Sequence, residues 1–363
     1  MSVNKNIVVR HPKQLTPEWA QTIIGQFSPS AKVSAVDIQS VNLGTTTRLQ
    51  VYVEHDATDI LPREWFVKTP SLLLKSRLIT ALPRLLHKEV QFYKALADSS
   101  PVRVPEVLAA QTRFGRGSTL VMANLTAAGY RPGQTSDALT LLQASQVVEH
   151  LAQFHAHYWH NTGLLDQHSW LSGFNASAEN HLGSLLAVPL MQRGLKLAGA
   201  DIPAALHKPA LFYAANRRRI MHELAAPPLT LVHHDCHPGN LFWTDSGPGF
   251  LDWQLVRMGE GISDIAYFLA TALEPELRRD NEQALLALYL QTLTQLGIGD
   301  LDEVKLYQRY RAHLSYPFEA MVVTLAIGNM MEDGSNRELI RRAAAAVADH
   351  DSFAALGYRA VSD

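Results

Sequence analysis

One stretch constrains this chain more than any other: Leu229–Gln254, LTLVHHDCHPGNLFWTDSGPGFLDWQ. An apolar run, Leu229–Val232, ends in a polar loop, His233–Asn240. A second strand pattern starts over Asn240–Trp243, Thr244–Pro248 reads as a turn, and Gly249–Leu251 reads as a third strand ending at Asp252. The loop carries H-x-D-x-x-x-x-N, as His233, Asp235 and Asn240, and Asp252 follows twelve residues later. Two carboxylates and an amide are thereby brought to one sheet edge. Phosphoryl transfer needs such a set: a carboxylate beside the attacking hydroxyl, and oxygens that hold Mg²⁺ on the phosphates.

The same D-x-x-x-x-N spacing, with a metal-binding Asp following on a hairpin, resembles the protein-kinase catalytic loop. Read that way, Asp235 is the base, Asn240 a Mg²⁺ ligand and Asp252 the main Mg²⁺ ligand. Three segments extend the resemblance: His233–Asn240, Asp252-Trp253 and Gly261–Tyr267. Together they resemble the aminoglycoside phosphotransferase/choline-kinase-like superfamily of small-molecule kinases. Its members usually read H-G-D-x-H-x-x-N, then D-[WF], then G-x-x-x-x-D-[IL]-A. His234 stands where the family usually has Gly. The resemblance covers about residues 30–330. It implies a two-lobed, protein-kinase-like α+β fold. The N-lobe, 1–125, would carry an antiparallel sheet, a nucleotide-covering loop and the hinge; the α-rich C-lobe, 126–363, would carry the catalytic loop and the acceptor site.

Other readings of the loop compete. His233, His234, Asp235, Cys236 and His237 could form a metal site, although adjacent ligands rarely converge on one ion and Zn²⁺ sites prefer spaced pairs. A plain loop of capping and turn residues, with Pro238-Gly239 as the turn, is the other alternative. It does not explain why Asp252 and Asp264 follow at kinase-like distances.

Composition narrows the class. The chain has 363 residues, 47% hydrophobic and 18% charged, enough for two lobes around a large core. A net charge of −2 gives no nucleic-acid or membrane-surface signal. One cysteine, Cys236, excludes an internal disulfide and fits a reducing cytoplasm. The first residues, MSVNKNIVVRHPKQ, lack the apolar core of a signal peptide, and no apolar run approaches the ~20 residues of a membrane span. The expected partner is a small molecule bearing a hydroxyl, not a nucleic acid and not a membrane.

Along the chain, Thr16-Pro17 opens a short capped helix over 15–27. Strand patterns follow at Val33–Val41, Thr46–Glu54 and Glu64–Lys68. The turn between the first two holds Gly44 and Thr45, where a kinase fold places its phosphate-covering loop. With a single glycine, a plain hairpin turn fits the residues equally well. Lys68 lies on an apolar strand, and an unpaired ammonium is costly to bury. The kinase reading pairs it with the nucleotide phosphates and with Glu89 on the next helix. The alternative for Glu89 is a solvated surface residue. The connection 69–80 is longer than a minimal kinase needs. Val104–Gln111 and Ser118–Met122 complete five strands. The resemblance makes the following segment the hinge, so Met122 and Asn124 are expected beside the adenine of ATP.

From Leu139 the period becomes helical, with Leu141, Leu142, Ser145, Val148, Leu151, Ala152, His155 and Trp159 on one face. His150, His155, His157 and His160 lack a clean i,i+4 pair, which favours packing and surface roles. Residues 160–228 contain helical pieces over Ala187–Ala198 and Leu206–Ala225. The resemblance makes this the insertion that shapes the acceptor site. It holds four acidic residues against six basic ones, which argues against a polycationic aminoglycoside as acceptor. Arg217–Arg219 reads as a solvated helix face. Asp264 opens an apolar run and reads as a helix N-cap; in the family it braces the catalytic loop. Only twelve residues separate Asp252 from Asp264, with no A-P-E motif, so a small-molecule acceptor is favoured over a peptide.

The expected activity is Mg²⁺-dependent transfer of the ATP γ-phosphoryl group to a hydroxyl. A non-catalytic nucleotide-binding scaffold of the same fold, and a metal-dependent hydrolase built on the His/Asp cluster, are the alternatives.

Overall fold

The computed structural model describes residues 6–73, 84–173, 178–299 and 301–359. Its fold is α+β: an antiparallel sheet toward the N-terminus, followed by a helix-rich remainder. The chain divides into two compact units. The first runs to Pro132 and also takes in Phe242–Thr244 and Leu251–Gln254. The second holds Gly133–Leu241, Asp245–Phe250 and the chain from Leu255.

Five strands build the first unit: β1 (Val33–Leu43), β2 (Thr46–His55), β3 (Glu64–Pro70), β4 (Val107–Arg113) and β5 (Gly117–Ala123). They pair antiparallel in the order β1-β2-β3-β5-β4. Alternation along β2 and β3 sends Leu49, Val51, Val53, Trp65 and Val67 to one face. The helix Pro17–Phe27 covers that face with Trp19, Ile23 and Ile24. Its start follows the capping pattern: Thr16 accepts a hydrogen bond from Trp19 N, and Pro17 sits at the first helical position. Trp19 and Trp65 meet edge to face, 6.0 Å apart. Because Val67 points into this core, its neighbour Lys68 points to the opposite face of the sheet. The helix Leu85–Ala95 packs against β3, β4 and β5, and carries Glu89.

In the second unit, the helix Ile262–Ala272 is buried at every residue. The helices Leu141–His157, Pro275–Gln295, Glu303–His313, Ser315–Ile327 and Asp333–Asp349 pack around it. A helix buried on every side belongs at the centre of a helical layer, and its few polar side chains call for partners there. The helix Leu141–His157 begins with a capping box between Thr140 and Gln143. Its buried face starts at Ala144, not at Leu141; Leu142 is 70% exposed. A short antiparallel pair, Thr230–Val232 with Arg257–Gly259, ends where the loop His233–Asn240 begins.

The helix Ala178–Ala198 crosses Ser315–Ile327 at Gly194. A methyl group on Gly194 would press on the Val322 side chain and lie 2.5 Å from its carbonyl oxygen. Gly194→Ala improves helix propensity by up to ~1 kcal/mol. Forcing the backbones apart costs about 1–3 kcal/mol. The expected result is a lower thermal midpoint, and a variant as stable as wild type would mean that these helices do not meet so closely.

Among the described residues, no helix is long and apolar enough to cross a membrane. Part of the long connection 69–80 lies outside the described residues.

Candidate active site

In the first unit the structure brings together Lys68, Glu89 and Asp252. The Lys68 ammonium lies 2.8 Å from Glu89 Oε1 and 3.3 Å from Asp252 Oδ2. Lys68 and Glu89 are both buried. Burial alone would lower the Lys68 ammonium, but the carboxylates of Asp252 and Glu89 outweigh it and hold the ammonium above its ordinary value. Burial pushes the Glu89 carboxyl up, and the neighbouring Asp252 charge adds to this, while Lys68 opposes both. A cation between two carboxylates stays charged. Asp252 takes a left-handed backbone, φ 59°. The next residue, Trp253, stacks on Phe92 of the Glu89 helix at 4.0 Å, which ties the Asp252 turn to that helix.

The four other residues expected beside a nucleotide lie elsewhere in this unit. Gly44 and Thr45 form the β1–β2 turn. The Gly44 carbonyl accepts the Ser71 hydroxyl at 2.8 Å, and its N–H donates to Thr46 O at 3.1 Å. Met122 is buried in β5 between Phe66 and Val107. Asn124 donates its N–H to Glu64 O, and its side-chain oxygen accepts from Thr126 N and Ala127 N. Its side-chain oxygen thus serves the local turn.

In the second unit the loop is gripped at its start and at its carboxylate. The two oxygens of Asp264 accept the backbone N–H groups of His233 and His234, each at 2.7 Å. Asp264 is not the N-cap of its helix; Gly261 takes that place, and Asp264 lies inside the first turn. Its carboxylate reaches across to the loop instead of back to its own helix. His155 Nε2 lies 3.2 Å from Asp264, and His155 Nδ1 meets the Tyr289 hydroxyl at 3.0 Å. Gly261 packs so closely here that a Cβ would fall 2.5 Å from the Tyr289 oxygen. His155 is therefore a packing histidine of this brace. Among the described residues, no group of three or more His, Cys, Asp or Glu is placed to hold a metal ion.

His234 occupies its glycine-like position with φ 70°. A left-handed non-glycine residue costs about 1–2 kcal/mol. Its N–H bond to Asp264 and the stacking of its ring on Tyr316, 4.1 Å away, offset that strain. The departure from the family pattern thus changes the residue and keeps the left-handed backbone that a glycine would favour.

Past that bend, Asp235 is held on both sides. The Tyr267 hydroxyl donates to Oδ1 at 2.7 Å. Asn240 Nδ2 donates to Oδ2 at 3.0 Å and to the Asp235 carbonyl at 2.9 Å. His233 Nδ1 accepts the Asp235 N–H at 3.3 Å. Asn240 uses its nitrogen for these contacts, so its amide oxygen faces the other way. Taken one at a time, the Asn240 amide oxygen and the Asp252 carboxylate are hard oxygen donors of the kind that Mg²⁺ takes, commonly one or two from protein with phosphates and water supplying the rest. The donor chemistry fits that ion. Tyr267 is the residue that sequence reasoning missed. It sits in the third motif, but inside a continuous apolar run its hydroxyl gives no signal.

Arg217 departs from the expected solvated face. It is paired with Glu319 and contributes its guanidinium to an interior cluster with Tyr213, whose hydroxyl donates to Glu319 at 2.7 Å. Arg219 remains on the surface with Glu223.

Comparison with known proteins agrees with this architecture. A model of the Phosphotransferase enzyme family matches residues 53–307, and the chain belongs to that family. No match is found among curated proteins. Among solved structures, the fold is similar to the GDP complex of wild-type aminoglycoside 2'-phosphotransferase-IIIa, with a TM-score of 0.52 and 12% identity over 93% of this chain and 98% of that one. It is also similar to Plasmodium vivax ethanolamine kinase, with a TM-score of 0.51 and 13% identity over 94% of this chain and 91% of that one. At such identities the likeness establishes the kinase-like fold.

Proposed function

We propose that this protein transfers the γ-phosphoryl group of ATP, with Mg²⁺, to a hydroxyl of a small molecule. One observation carries the reading: the buried Lys68 ammonium held by both Glu89 and Asp252. A charged Lys in that setting is oriented to pair with phosphates, as in kinase-type phosphoryl transfer. In this reading the first unit is the N-lobe, with Gly44 and Thr45 covering the phosphates and the segment around Met122 and Asn124 beside the base. The second is the C-lobe, with Asp235 at the acceptor. Asn240 and Asp252 would hold Mg²⁺, which neutralises charge on the phosphates when bound. Asp235 orients the acceptor hydroxyl and takes its proton as the new P–O bond forms; the bond from the γ-phosphorus to the bridging oxygen breaks, and ADP leaves with that oxygen. ATP as donor suits a cytoplasmic enzyme.

A polycationic aminoglycoside is a poor acceptor for this chain. Of the four acidic residues in 160–228, Asp201 already pairs with Arg337 at 2.7 Å and Glu223 with Arg219 at 2.5 Å. Glu319, the carboxylate nearest Arg217, is likewise committed.

Thermal unfolding with and without Mg-ATP tests the nucleotide half. Ligand at a hundredfold excess over Kd stabilises by about 2.7 kcal/mol. Wild type should show a Mg²⁺-dependent rise in midpoint, and Asp252→Ala should lose it. No rise in wild type would sink the nucleotide reading, and a rise without ADP formation from ATP in the presence of any hydroxylated compound would favour the non-catalytic scaffold.

A further inference from the structure

We infer that Tyr267 is a positioning residue for Asp235, fixing its carboxylate in one orientation toward the acceptor hydroxyl; this rests on the proposed phosphotransferase function. Tyr267 is 1% exposed on a helix that is buried throughout, so its hydroxyl is delivered from an element packed on every side. It donates to Asp235 Oδ1 at 2.7 Å while Asn240 holds Oδ2 at 3.0 Å. A carboxylate offers about four acceptor sites, and a fixed donor on each oxygen stops its rotation. Asp264 and Tyr267 are one helical turn apart and share a face of their helix. That face therefore holds the loop backbone at His233 and His234 and the Asp235 side chain at once. Burial first, and then the Asp235 charge, push the Tyr267 phenol well above its ordinary value, so it remains a proton donor to this bond at every working pH.

Tyr267→Phe removes one oxygen and no appreciable volume, so the fold should persist. The assay is ADP formed from Mg-ATP with water as the acceptor, which requires no natural alcohol. We expect kcat to fall roughly 10–100-fold, the range for a hydrogen bond to a charged group. KM for ATP and the Mg-ATP unfolding shift should not change. In an Asp235→Asn background the same substitution should lower the residual rate by less than about twofold, because the group it positions is gone. A merely structural tyrosine would reduce both backgrounds alike. Equal losses in the two backgrounds, or a kcat within twofold of wild type, overturn the inference. If Asp235→Asn alone forms ADP at the wild-type rate, the proposed function itself falls, and this inference with it.

Discussion

Asp235→Asn should reduce phosphoryl transfer by roughly 10²–10⁴-fold, the usual contribution of a positioned general base, while the Mg-ATP unfolding shift is retained. The substitution is nearly isosteric, and the surroundings show why the fold tolerates it. Asn240 donates to Oδ2, so the new amide must turn its oxygen there. Its NH₂ group then faces Tyr267, whose hydroxyl can rotate from donating to accepting. Both contacts persist, but the buried Tyr267 O–H gives up its acceptor, so stability should fall by about 1–3 kcal/mol. What is lost is the negative charge and the lone pair that takes the acceptor proton. Steady-state ADP release with hydroxylated acceptors, read beside thermal unfolding with Mg-ATP, checks both halves. Retained turnover with lost nucleotide binding would place the chemistry elsewhere.

Much of this geometry can be traced to short-range sequence signals. The period-two alternation of Leu49, Val51 and Val53 specifies which face of β2 is buried. Thr16-Pro17 specifies where the first helix begins. The Lys68–Glu89 pair follows from two steps: an apolar strand cannot bury a lone ammonium, and the next helix offers one well-placed carboxylate. The signals fail where partners are distant or where a helix end meets solvent. Arg217 in a run of three arginines looks solvated, because Glu319 lies 102 positions away. Leu141 and Leu142 extend the apolar pattern of their helix into its first turn, yet that turn is exposed. Tyr267 reads as core, and it is core; only the position of Asp235, 32 residues earlier, gives its hydroxyl a second role. Asp264 looks like a cap because capping and loop bracing use the same chemistry, a carboxylate accepting backbone N–H groups. Which amides it takes is decided by the bend at His234, a feature that a histidine in a glycine position conceals.

That brace gives the largest stability effect. Asp264→Ala leaves the N–H groups of His233 and His234 without their acceptor, and both residues are buried. An unsatisfied buried donor costs about 1–3 kcal/mol, so the pair amounts to about 2–6 kcal/mol. Native stabilities of about 5–15 kcal/mol make that a substantial fraction of the total. The His155 contact to Asp264 is lost as well. The loop has a way to relieve part of this cost: His234 can leave its left-handed backbone, recovering about 1–2 kcal/mol. Doing so moves Asp235 away from Tyr267 and Asn240, so the relaxation that protects the fold removes the geometry proposed for catalysis. Asp264→Ala should therefore unfold at a clearly lower temperature and lack turnover even where it remains folded. Asp264→Asn retains one acceptor oxygen but sets its NH₂ group against the second backbone N–H, and should lose turnover with a smaller fall in midpoint. The proposed nucleotide site, Lys68, Glu89 and Asp252, makes the Lys68 ion pairs without Asp264, so a Mg-ATP unfolding shift should survive in the asparagine variant. Wild-type turnover in either variant would show that the loop holds Asp235 without its helix brace, and would leave the left-handed His234 without a functional reason.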